Sequence, residues 1–390
     1  MQLVAYGAQD IYLTGNPQIT FFKVVYRRHT NFSMEAIEQT WNGSAEGTGV
    51  RCTATISRNG DLVHRMYLQI DGAAPQATGR NPGASMIENV ELEIGGQSID
   101  KHSGLWMETW AELTESNPTG QTFETDDSDE GGTLFQKMSL MGGVNVGSGG
   151  NPSTTSYFIP LQFWFCRNPG LALPLIALQY HEVKVILDHR LSTFMGAGST
   201  NRLFCDYIYL DTDERRRFAQ VSHEYLIEQV QTDTVTAGTG DLNFNHPVKE
   251  LIWVNSNKVA ADVGATTNLS IGDASTGTTY QIKLNGHDRF QERDYRYFSR
   301  VQVWQHHSGA GGLDAVSGGA AGAHNDSIGV YSFALKPEEH QPSGTCNFSR
   351  IDNARLEATN TNNVVVNTVF AVNYNVLRIM SGMGGLAYSN

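Results

Sequence analysis

The feature that most constrains the fold is a spaced set of aromatic, proline and aliphatic residues that occurs twice in the chain. Each member of the second set lies 168 positions after its counterpart; the sets are Phe165, Pro169, Pro174, Tyr180 and Val183, and Phe333, Pro337, Pro342, Phe348 and Ile351. Proline cannot donate a hydrogen bond to a sheet ladder, so it is confined to sheet edges and to breaks between strands. Two prolines five positions apart between aromatic strands, seen twice, predict one β-unit that is used twice.

Length and composition agree with two units. The chain has 390 residues, which fits two domains of nearly equal size at roughly 100–200 residues each. It is 40% hydrophobic and 17% charged, so it can bury a sizeable core and is not disordered. A charge cluster at 211–217 lies near the midpoint. We therefore place the domain boundary close to residue 213.

The dominant period of the sequence is two, which is typical of half-buried strands. In the clearest example, Val90, Leu92 and Ile94 alternate with Glu91 and Glu93. Strands are predicted at 21–26, 52–56, 66–70, 90–94, 183–187, 203–210, 223–230, 249–254, 280–284, 330–335 and 364–377. One segment, 103–114, is predicted to be helical because its tryptophans and a leucine recur at i, i+4 and i+7. An all-β chain with few short helices is a sandwich or jelly-roll candidate.

Charge and cysteine usage narrow the function further. The net charge of −13 argues against a surface built to neutralise phosphates. The cysteines, Cys52, Cys166, Cys205 and Cys346, are widely separated, which predicts buried free thiols in a reducing compartment. The N-terminus lacks the pattern of a signal peptide, and no apolar run approaches the ~18 residues of a membrane span. We expect a soluble protein made in a cytosol.

A search for catalytic and metal-binding motifs finds little. The glycine-rich loop at 309–322 lacks the ending of a phosphate-binding loop, and the acidic run at 126–130 lacks the spacing of a calcium loop. The adjacent pair His306 and His307 would point to opposite faces of a strand and chelate poorly together. Neither G-x-S-x-G nor H-E-x-x-H occurs. The residues predict no catalytic site, no cofactor and no metal.

Two further patterns leave alternatives open. A nucleic-acid surface could use Arg215, Arg216 and Arg217 or the alternating arginines and aromatics at 293–300, but such alternation is also typical of a half-buried strand. We predict no direct nucleic-acid contact. Glycosylation sequons begin at Asn31, Asn42, Asn268, Asn325 and Asn347, so glycans remain possible.

Several long motifs carry a resemblance to a known family. They are QLVAYGAQDIYLTGNPQITFFKVVYRRHTNF at 2–32, CRNPGLALPLIALQYHEVKV at 166–185, LNGHDRF at 284–290, YSFALKPEEHQPSGTCNFSRIDN at 331–353 and NYNVLRIMSGMGGLAYSN at 373–390. Together they span the chain from its first residues to its last. They resemble the major capsid proteins of large nucleocytoplasmic DNA viruses, and most of all the algal-virus and giant-virus members.

The resemblance implies an all-β double jelly roll: two eight-stranded antiparallel β-sandwiches side by side, with few short helices. The implied division is an N-terminal arm at 1–19, a first jelly roll at 20–212 and a second at 213–390. The implied function is that of a structural major capsid protein, which trimerises into pseudo-hexagonal capsomers that tile an icosahedral shell and which catalyses no reaction. The implied location is the virion, after assembly in the host cytoplasm.

The resemblance also implies partners and assembly residues. Partners would be further copies of the chain, minor capsid proteins beneath the shell and internal membrane-associated viral proteins. Assembly contacts are assigned to both termini, at Gln2, Tyr6, Asp10, Tyr12, Arg27, Arg28, Ser381, Gly382, Met383 and Gly384. The small residues of the C-terminal group permit close backbone approach, so we expect this tail to pack at a subunit or domain seam.

Two alternative functions compete with this interpretation. One is a minor capsid or vertex protein of the same virus class. The other is a carbohydrate-binding β-sandwich, which would need a pair of carboxylates in a cleft with aromatic platforms. Glu91 and Glu93 share one outward strand face, which is a poor start for such a site.

Overall fold

We analysed a computed structural model of the chain. The structure describes residues 7–46, 50–72, 79–118, 123–125, 132–146, 156–195, 198–254, 256–258, 269–271, 278–311, 328–359 and 367–388. Strands, which pair almost entirely antiparallel, are the main regular structure among these residues.

The first half of the chain forms two antiparallel sheets around one core. Sheet 1 has the order β1-β13-β4-β10 with β11 beside β4, and its strands are β1 (Phe32–Gln39), β4 (Leu62–Asp71), β10 (Ser156–Pro160), β11 (Leu173–Pro174) and β13 (Thr200–Leu210). Sheet 2 has the order β2-β3-β12-β6-β7, and its strands are β2 (Trp41–Gly43), β3 (Val50–Thr55), β6 (Ile87–Ile94), β7 (Gln97–Ser103) and β12 (Val183–His189). A small separate sheet contains β5 (Gly79–Arg80), β8 (Phe123–Thr125) and β9 (Val144–Val146).

The second half repeats this arrangement. Sheet 3 has the order β14-β25-β16-β22, with β23 beside β16 and β26 beside β25; its strands are β14 (His223–Thr234), β16 (Pro247–Val254), β22 (Ile328–Ser332), β23 (Cys346–Asn347), β25 (Thr368–Met380) and β26 (Met383–Leu386). Sheet 4 has the order β15-β24-β19-β20, with β21 beside β19; its strands are β15 (Gly240–Asp241), β19 (Thr279–Leu284), β20 (His287–Asp288), β21 (Arg293–Asp294) and β24 (Ala354–Thr359). A two-stranded ladder joins β17 (Ser256–Lys258) and β18 (Leu269–Ile271).

Sheets 1 and 3 match in strand order and in register. Tyr67 of β4 lies opposite Phe204 of β13, and Ile252 of β16 lies opposite Phe370 of β25. Both ladders contain a register shift a few residues from these pairs. The short strands β11 and β23 pair with the first two residues of β4 and β16. The predicted duplication of a β-unit is therefore confirmed.

The fixed spacing of 168 does not mark equivalent positions residue for residue. Both proline-containing segments connect an edge strand, β10 of sheet 1 or β22 of sheet 3, to an inner strand, β12 of sheet 2 or β24 of sheet 4. However, Phe165 lies in a helical turn of this connection, whereas Phe333 follows β22 directly. The strand counts in the described part of the chain also differ from the expected eight per sandwich, because short strands such as β11, β23 and β26 add to the long ones.

The central strands of sheet 3 are buried on both faces. Leu251 and Trp253 of β16 point into a core shared with sheet 4. Ile252 and Val254, on the opposite face, belong to a larger core that they share with the first half of the chain. Such strands read as continuous apolar runs rather than as an alternation. The two sandwiches are therefore joined by apolar packing.

The helical segments are short, and the longest is the predicted one. They are α1 (Ile11–Thr14), α2 (Pro82–Ser85), α3 (Gly104–Thr114), α4 (Leu134–Ser139), α5 (Trp164–Arg167), α6 (Leu191–Met195), α7 (Thr212–Gln220) and α8 (Gln302–His306), with 3-10 turns at Pro169–Leu171 and Phe348–Arg350 and a π-helical turn at Tyr297–Val301. Ser103 caps α3 by accepting the N–H of Trp106 at 3.1 Å, which fixes where this helix begins. None of the described helices is long and apolar enough to cross a membrane.

Three local predictions were wrong. The predicted strand at 21–26 is an exposed turn and irregular segment, and sheet 1 begins only at Phe32. The charge cluster at 211–217 belongs mainly to α7, which the sequence did not reveal because no residue of this helix is buried. The segment at 293–300 is not a continuous strand, since β21 ends at Asp294 and a π-helical turn follows.

The remaining expectations concern cysteines and loops. All four cysteines are free thiols, and Cys52, Cys166 and Cys205 are buried, as predicted. The acidic run at 126–130 lies outside the described residues, as does the glycine- and alanine-rich stretch from 312 onwards. At the beginning of the second loop, Gly309 and Gly311 donate backbone hydrogen bonds to the carbonyl groups of Leu113 and Glu112. This beginning is therefore fixed to α3.

Candidate assembly surfaces

The segment before β1 lies outside both sandwiches and exposes its apolar side chains. Phe21, Phe22 and Tyr26 are 87%, 98% and 89% exposed. Within the described part of the segment, residues 7–31, no residue belongs to a β-strand. Apolar exposure on this scale marks a surface that contacts another molecule. We call residues 1–31 the N-terminal arm.

The arm contains six of the assembly residues predicted from the sequence. Asp10, Tyr12, Arg27 and Arg28 lie in its described part, and Tyr12 is 90% exposed. Asp10 accepts the N–H of Gly7 through its side chain at 2.6 Å, just before α1. Gln2 and Tyr6 lie outside the described residues.

The charge of the arm differs in sign from that of the rest of the chain. Its charged residues are Asp10, Lys23, Arg27 and Arg28, which give residues 1–31 a net charge of +2. Since the whole chain has a net charge of −13, residues 32–390 carry −15. The arm is therefore suited to an acidic surface, but its charge is too small to make this chain a phosphate-neutralising protein.

The C-terminal residues predicted for assembly lie at the seam between the two halves. Ser381 and Gly382, both with positive φ, form the turn that brings β26 back along β25. Tyr180 of the first half donates its N–H to the carbonyl oxygen of Gly382 at 2.9 Å. The carbonyl oxygen of Gly384 lies 2.8 Å from Nδ1 of His181. The tail thus packs at a domain seam, as its small residues predicted, and Met383 remains half exposed.

The apolar part of the seam is centred on α3. Trp106 of α3 packs edge to face against Phe370 of β25, with ring centroids 5.2 Å apart. Trp110, one turn further along the helix, lies 5.3 Å from Trp106 and 6.4 Å from the ring of His307. The helix therefore belongs to the first half but covers the outer face of sheet 3. This explains why 103–114 has an apolar pattern.

A buried ionic cluster continues the seam. Glu228 of β14 lies 3.0 Å from Arg167, which ends α5 in the first half, and 2.8 Å from Nζ of Lys249 on β16. Burial works against the charged carboxylate, but the two cations outweigh it and lower the pKa of Glu228 to about 2. Breaking such a pair leaves an uncompensated buried charge, so the cluster fixes how the halves meet.

His307 forms a second buried cluster rather than a metal site. It follows the last residue of α8, so the strand geometry expected for the histidine pair was wrong. Its Nε2 lies 3.0 Å from Glu250 and its Nδ1 lies 3.1 Å from Glu338. Burial opposes the charge of the imidazole, but the two carboxylates overcome this and raise its pKa to about 9. His307 is therefore a doubly bonded cation at neutral pH.

Sequence reasoning missed both clusters, and no local signal could have found them. Glu250 and Glu338 lie 57 and 31 positions from His307, so only the fold brings these groups together. The sequence analysis did consider His306 and His307, but as a metal site, whereas His307 is a member of the second ionic cluster. No group of metal-ligating side chains occurs among the residues that the structure describes.

The residues proposed for other functions have structural partners. Arg215 lies 2.9 Å from the nearly buried Asp61, so one arginine of the basic run is engaged within the chain. Glu91 and Glu93 lie opposite Lys101 and Lys184 on the neighbouring strands of sheet 2. Opposite charges at facing positions stabilise a sheet, which accounts for these carboxylates without a carbohydrate site.

Comparisons with known proteins cover nearly the whole chain. Residues 20–211 match the family described as major capsid protein N-terminus, and residues 214–385 match the family described as large eukaryotic DNA virus major capsid protein. The chain is 54% identical to a major capsid protein of Pyramimonas orientalis virus and 42% identical to one of Paramecium bursaria Chlorella virus 1. Each alignment covers 100% of this chain and 99% of the relative.

Solved structures give the same answer for the fold. The chain is similar to the protein in a quasi-atomic model of the PBCV-1 virus capsid, with a TM-score of 0.75 and 36% identity over 95% of this chain and 100% of that one. The Faustovirus major capsid protein matches with a TM-score of 0.64 at 13% identity, covering 96% of this chain and 94% of that one, which bears on the fold alone. The two sandwiches therefore form a double jelly roll.

Proposed function

Because the chain belongs to the family of major capsid proteins of large eukaryotic DNA viruses, we propose that three copies associate into a pseudo-hexagonal capsomer and that such capsomers tile an icosahedral shell. The observation that carries this proposal is the repetition of sheet order and register in the two halves. Two similar sandwiches per chain give six similar units around a three-fold axis. A trimer with six similar units around its axis can pack in a flat hexagonal array.

The contacts between copies are heterologous: the first half of one chain meets the second half of the next, and the ring closes after three copies. An obligate contact of this kind buries upwards of about 2,000 Å² per pair and has an apolar centre. Contacts between capsomers are smaller and more polar, so that capsomers can rearrange during assembly.

We divide the chain for this purpose into an N-terminal stretch at 1–19, a first jelly roll at 20–212 and a second at 213–390. The arm, residues 1–31, consists of this stretch and of residues 20–31, which lead into β1. The matched family segments, 20–211 and 214–385, support a boundary near residue 213. The last strand of sheet 1 ends at Leu210 and the first strand of sheet 3 begins at His223, which also favours this boundary.

We place the arm beneath the capsomer, where it contacts minor capsid proteins, internal membrane-associated viral proteins or neighbouring capsomers. Its exposed aromatic residues and its net positive charge support such a role. The protein acts as a building block without catalysis or a cofactor, and it assembles in the host cytoplasm. Glycans on the sequon asparagines are compatible with this role and are not needed for it.

The native mass tests the capsomer. Sedimentation of the purified chain at moderate salt should give a species near three times 42.8 kDa. A monomer that persists at high protein concentration would refute the trimer. In purified virions the protein should dominate a stained gel, whereas a minor capsid or vertex protein would give a weak band.

Deletion of residues 2–18 tests the arm. The described part of this stretch, residues 7–18, lies outside the sandwich cores, so the shortened chain should fold and form trimers with an unchanged melting temperature, but shell assembly should be impaired. The matched control is the full-length chain, taken through the same purification and assembly reaction. Failure of the shortened chain to fold would refute the proposed role.

A further inference from the structure

The outer faces of sheets 1 and 3 are covered unequally within one chain. The ladders show which positions of sheets 1 and 3 are equivalent. In sheet 1, Tyr67 pairs with Phe204 and with Pro160. In sheet 3, Ile252 pairs in the same way with Phe370 and with Val330. Six positions of sheet 3 on this face are fully buried: Ile252, Val254, Ile328, Val330, Phe370 and Val372. Their counterparts in sheet 1 are all only half-buried: Tyr67, Gln69, Phe158, Pro160, Phe204 and Asp206.

The covering of sheet 3 comes from the first half of the chain. Trp106 of α3 packs on Phe370, and Arg167 reaches Glu228 at the edge of the same sheet. Helix α3 follows β7, an edge strand of sheet 2, and precedes β10. It contacts β6 and β7 of its own sandwich and, through Trp106, sheet 3 of the next one.

The second half has an element at the corresponding place in its chain order. The π-helical turn and α8 together span residues 297–306, follow β20 and β21 of sheet 4 and precede β22. Unlike the tryptophans of α3, Trp304 is 80% exposed, and Val301 on the preceding turn is also exposed. Within one chain, the inner side of this helical segment packs on β22 and buries Phe298 and Val303, while Trp304 on the other side stays exposed and has the chemistry of an interface anchor.

The outer face of sheet 1 has the matching apolar character. The rings of Tyr67 and Phe204 are stacked, with centroids 5.5 Å apart and planes 9° apart. Beside them, Phe32 and Met34 of the edge strand β1 are about half exposed. These two residues line a groove of about 530 Å³, and the other lining residues are His64, Arg65, Pro169, Asp206, Ile208 and Leu210.

We propose that the outer face of sheet 1 is the docking surface for a second copy of this chain, which places its segment 297–306, with Trp304 as the anchor, on the Tyr67–Phe204 pair. The contact repeats between chains the arrangement that α3 and sheet 3 already have within a chain. It rests on the proposed trimer, since a head-to-tail contact of this kind needs a closed ring. Three such contacts leave no uncovered sheet-1 face and no exposed Trp304 in the capsomer.

Charge substitutions at exposed positions test the surface without disturbing the core. Met34→Asp on the sheet and Trp304→Asp on the helical segment should each raise the trimer dissociation constant at least tenfold, with unchanged circular dichroism and melting of the monomer. Leu13→Asp in the exposed arm is the matched control and should leave the trimer intact. Trimers of normal stability in both test variants would overturn the proposal while leaving the capsomer itself in place.

Photo-crosslinking identifies the occupant. The variant Phe204→p-benzoylphenylalanine keeps an aromatic ring on the sheet, and mixing isotopically light and heavy chains distinguishes contacts between copies from contacts within one copy. We expect light-to-heavy crosslinks to residues 297–306, located by mass spectrometry. Crosslinks to the arm, or only within one copy, would overturn the proposal although the trimer stands. A wild-type chain that stays monomeric would overturn the trimer and this surface together.

Discussion

Individual charged residues at and beside the seam form buried ion pairs that make the packing specific. His307 lies between Glu250 and Glu338, and Glu228 lies between Arg167 and Lys249. A buried charge is tolerated only when it is paired and hydrogen-bonded. The Arg167–Glu228 pair joins the two halves and gives their contact one specific geometry, which apolar packing alone would leave less well defined. The pairs of His307 lie within the second half, where they hold the end of α8 to Glu250 and Glu338.

Replacing His307 should destabilise the second half in a pH-dependent way. Its folded pKa of about 9 lies above the ordinary value of 6.5, so its contribution is fully present below about pH 6.5 and is lost as the pH rises through 9. His307→Ala leaves Glu250 buried without its cation and should lower the free energy of unfolding at pH 7 by about 3–5 kcal/mol. Melting temperatures from pH 6 to 10 test this, with His29→Ala in the arm as control. Parallel pH profiles for His307→Ala and the wild type would contradict it.

Replacing Glu108 on α3 should have the opposite effect to replacing His307, because it should stabilise the protein. Burial raises its pKa to about 7, although the N–H groups of Gly142 and Gly143 donate to it. Since the folded pKa is raised, stability is full below about pH 4.5 and declines as the pH rises through 7. Glu108→Gln removes the charge and should raise the free energy of unfolding at pH 8 by about 1–3 kcal/mol. Urea unfolding at pH 5 and 8 measures this against Glu91→Gln, and a loss of stability at pH 8 would refute it.

At the scale of elements, the strands of sheet 3 determine how the halves join. One face of β16 and β25 belongs to the second sandwich, while the other belongs to the core of the first half. Because the two cores share these strands, loss of packing on one face disturbs the other. The seam is thus an extension of the hydrophobic core.

Phe370→Ala tests this shared core. The side chain is fully buried against Trp106, so its removal creates a cavity at the seam and should cost about 3–5 kcal/mol. Phe22→Ala in the arm, where the ring is 98% exposed, is the matched control and should change stability by less than about 0.5 kcal/mol. Chemical denaturation measures both variants. A loss below about 1 kcal/mol for Phe370→Ala would contradict a core shared between the halves.

Elements whose burial follows a simple period could be predicted from the sequence, and the others could not. Strand β6 shows its alternation and α3 shows its apolar face. Helix α7 has no fully buried residue and contacts the core mainly through the half-buried Phe218, so it shows no apolar period to detect. The segment at 21–26 has the apolar composition of a strand, but no partner strand for it lies within the described part of the chain. The C-terminal contact was predictable from small residues, whereas the partners of His307 come from distant strands and loops.

For the whole molecule, the repeated sandwich explains how one chain can supply a six-unit ring. Each half presents a large sheet and a helical segment in the same order along the chain. One such contact is satisfied within the chain, between α3 and sheet 3. The second pair of surfaces, sheet 1 and the segment 297–306, is the one that we propose joins different copies. This asymmetry favours a closed ring over a free monomer.

Cryo-electron microscopy of the purified chain tests the central claim most directly. We expect a three-fold symmetric particle with six similar lobes around a ring, in which the first sandwich of each copy touches the second sandwich of its neighbour. The contact between copies should superpose on the contact within a copy. Monomers, two-fold dimers, or a ring in which first sandwiches touch each other would contradict the account.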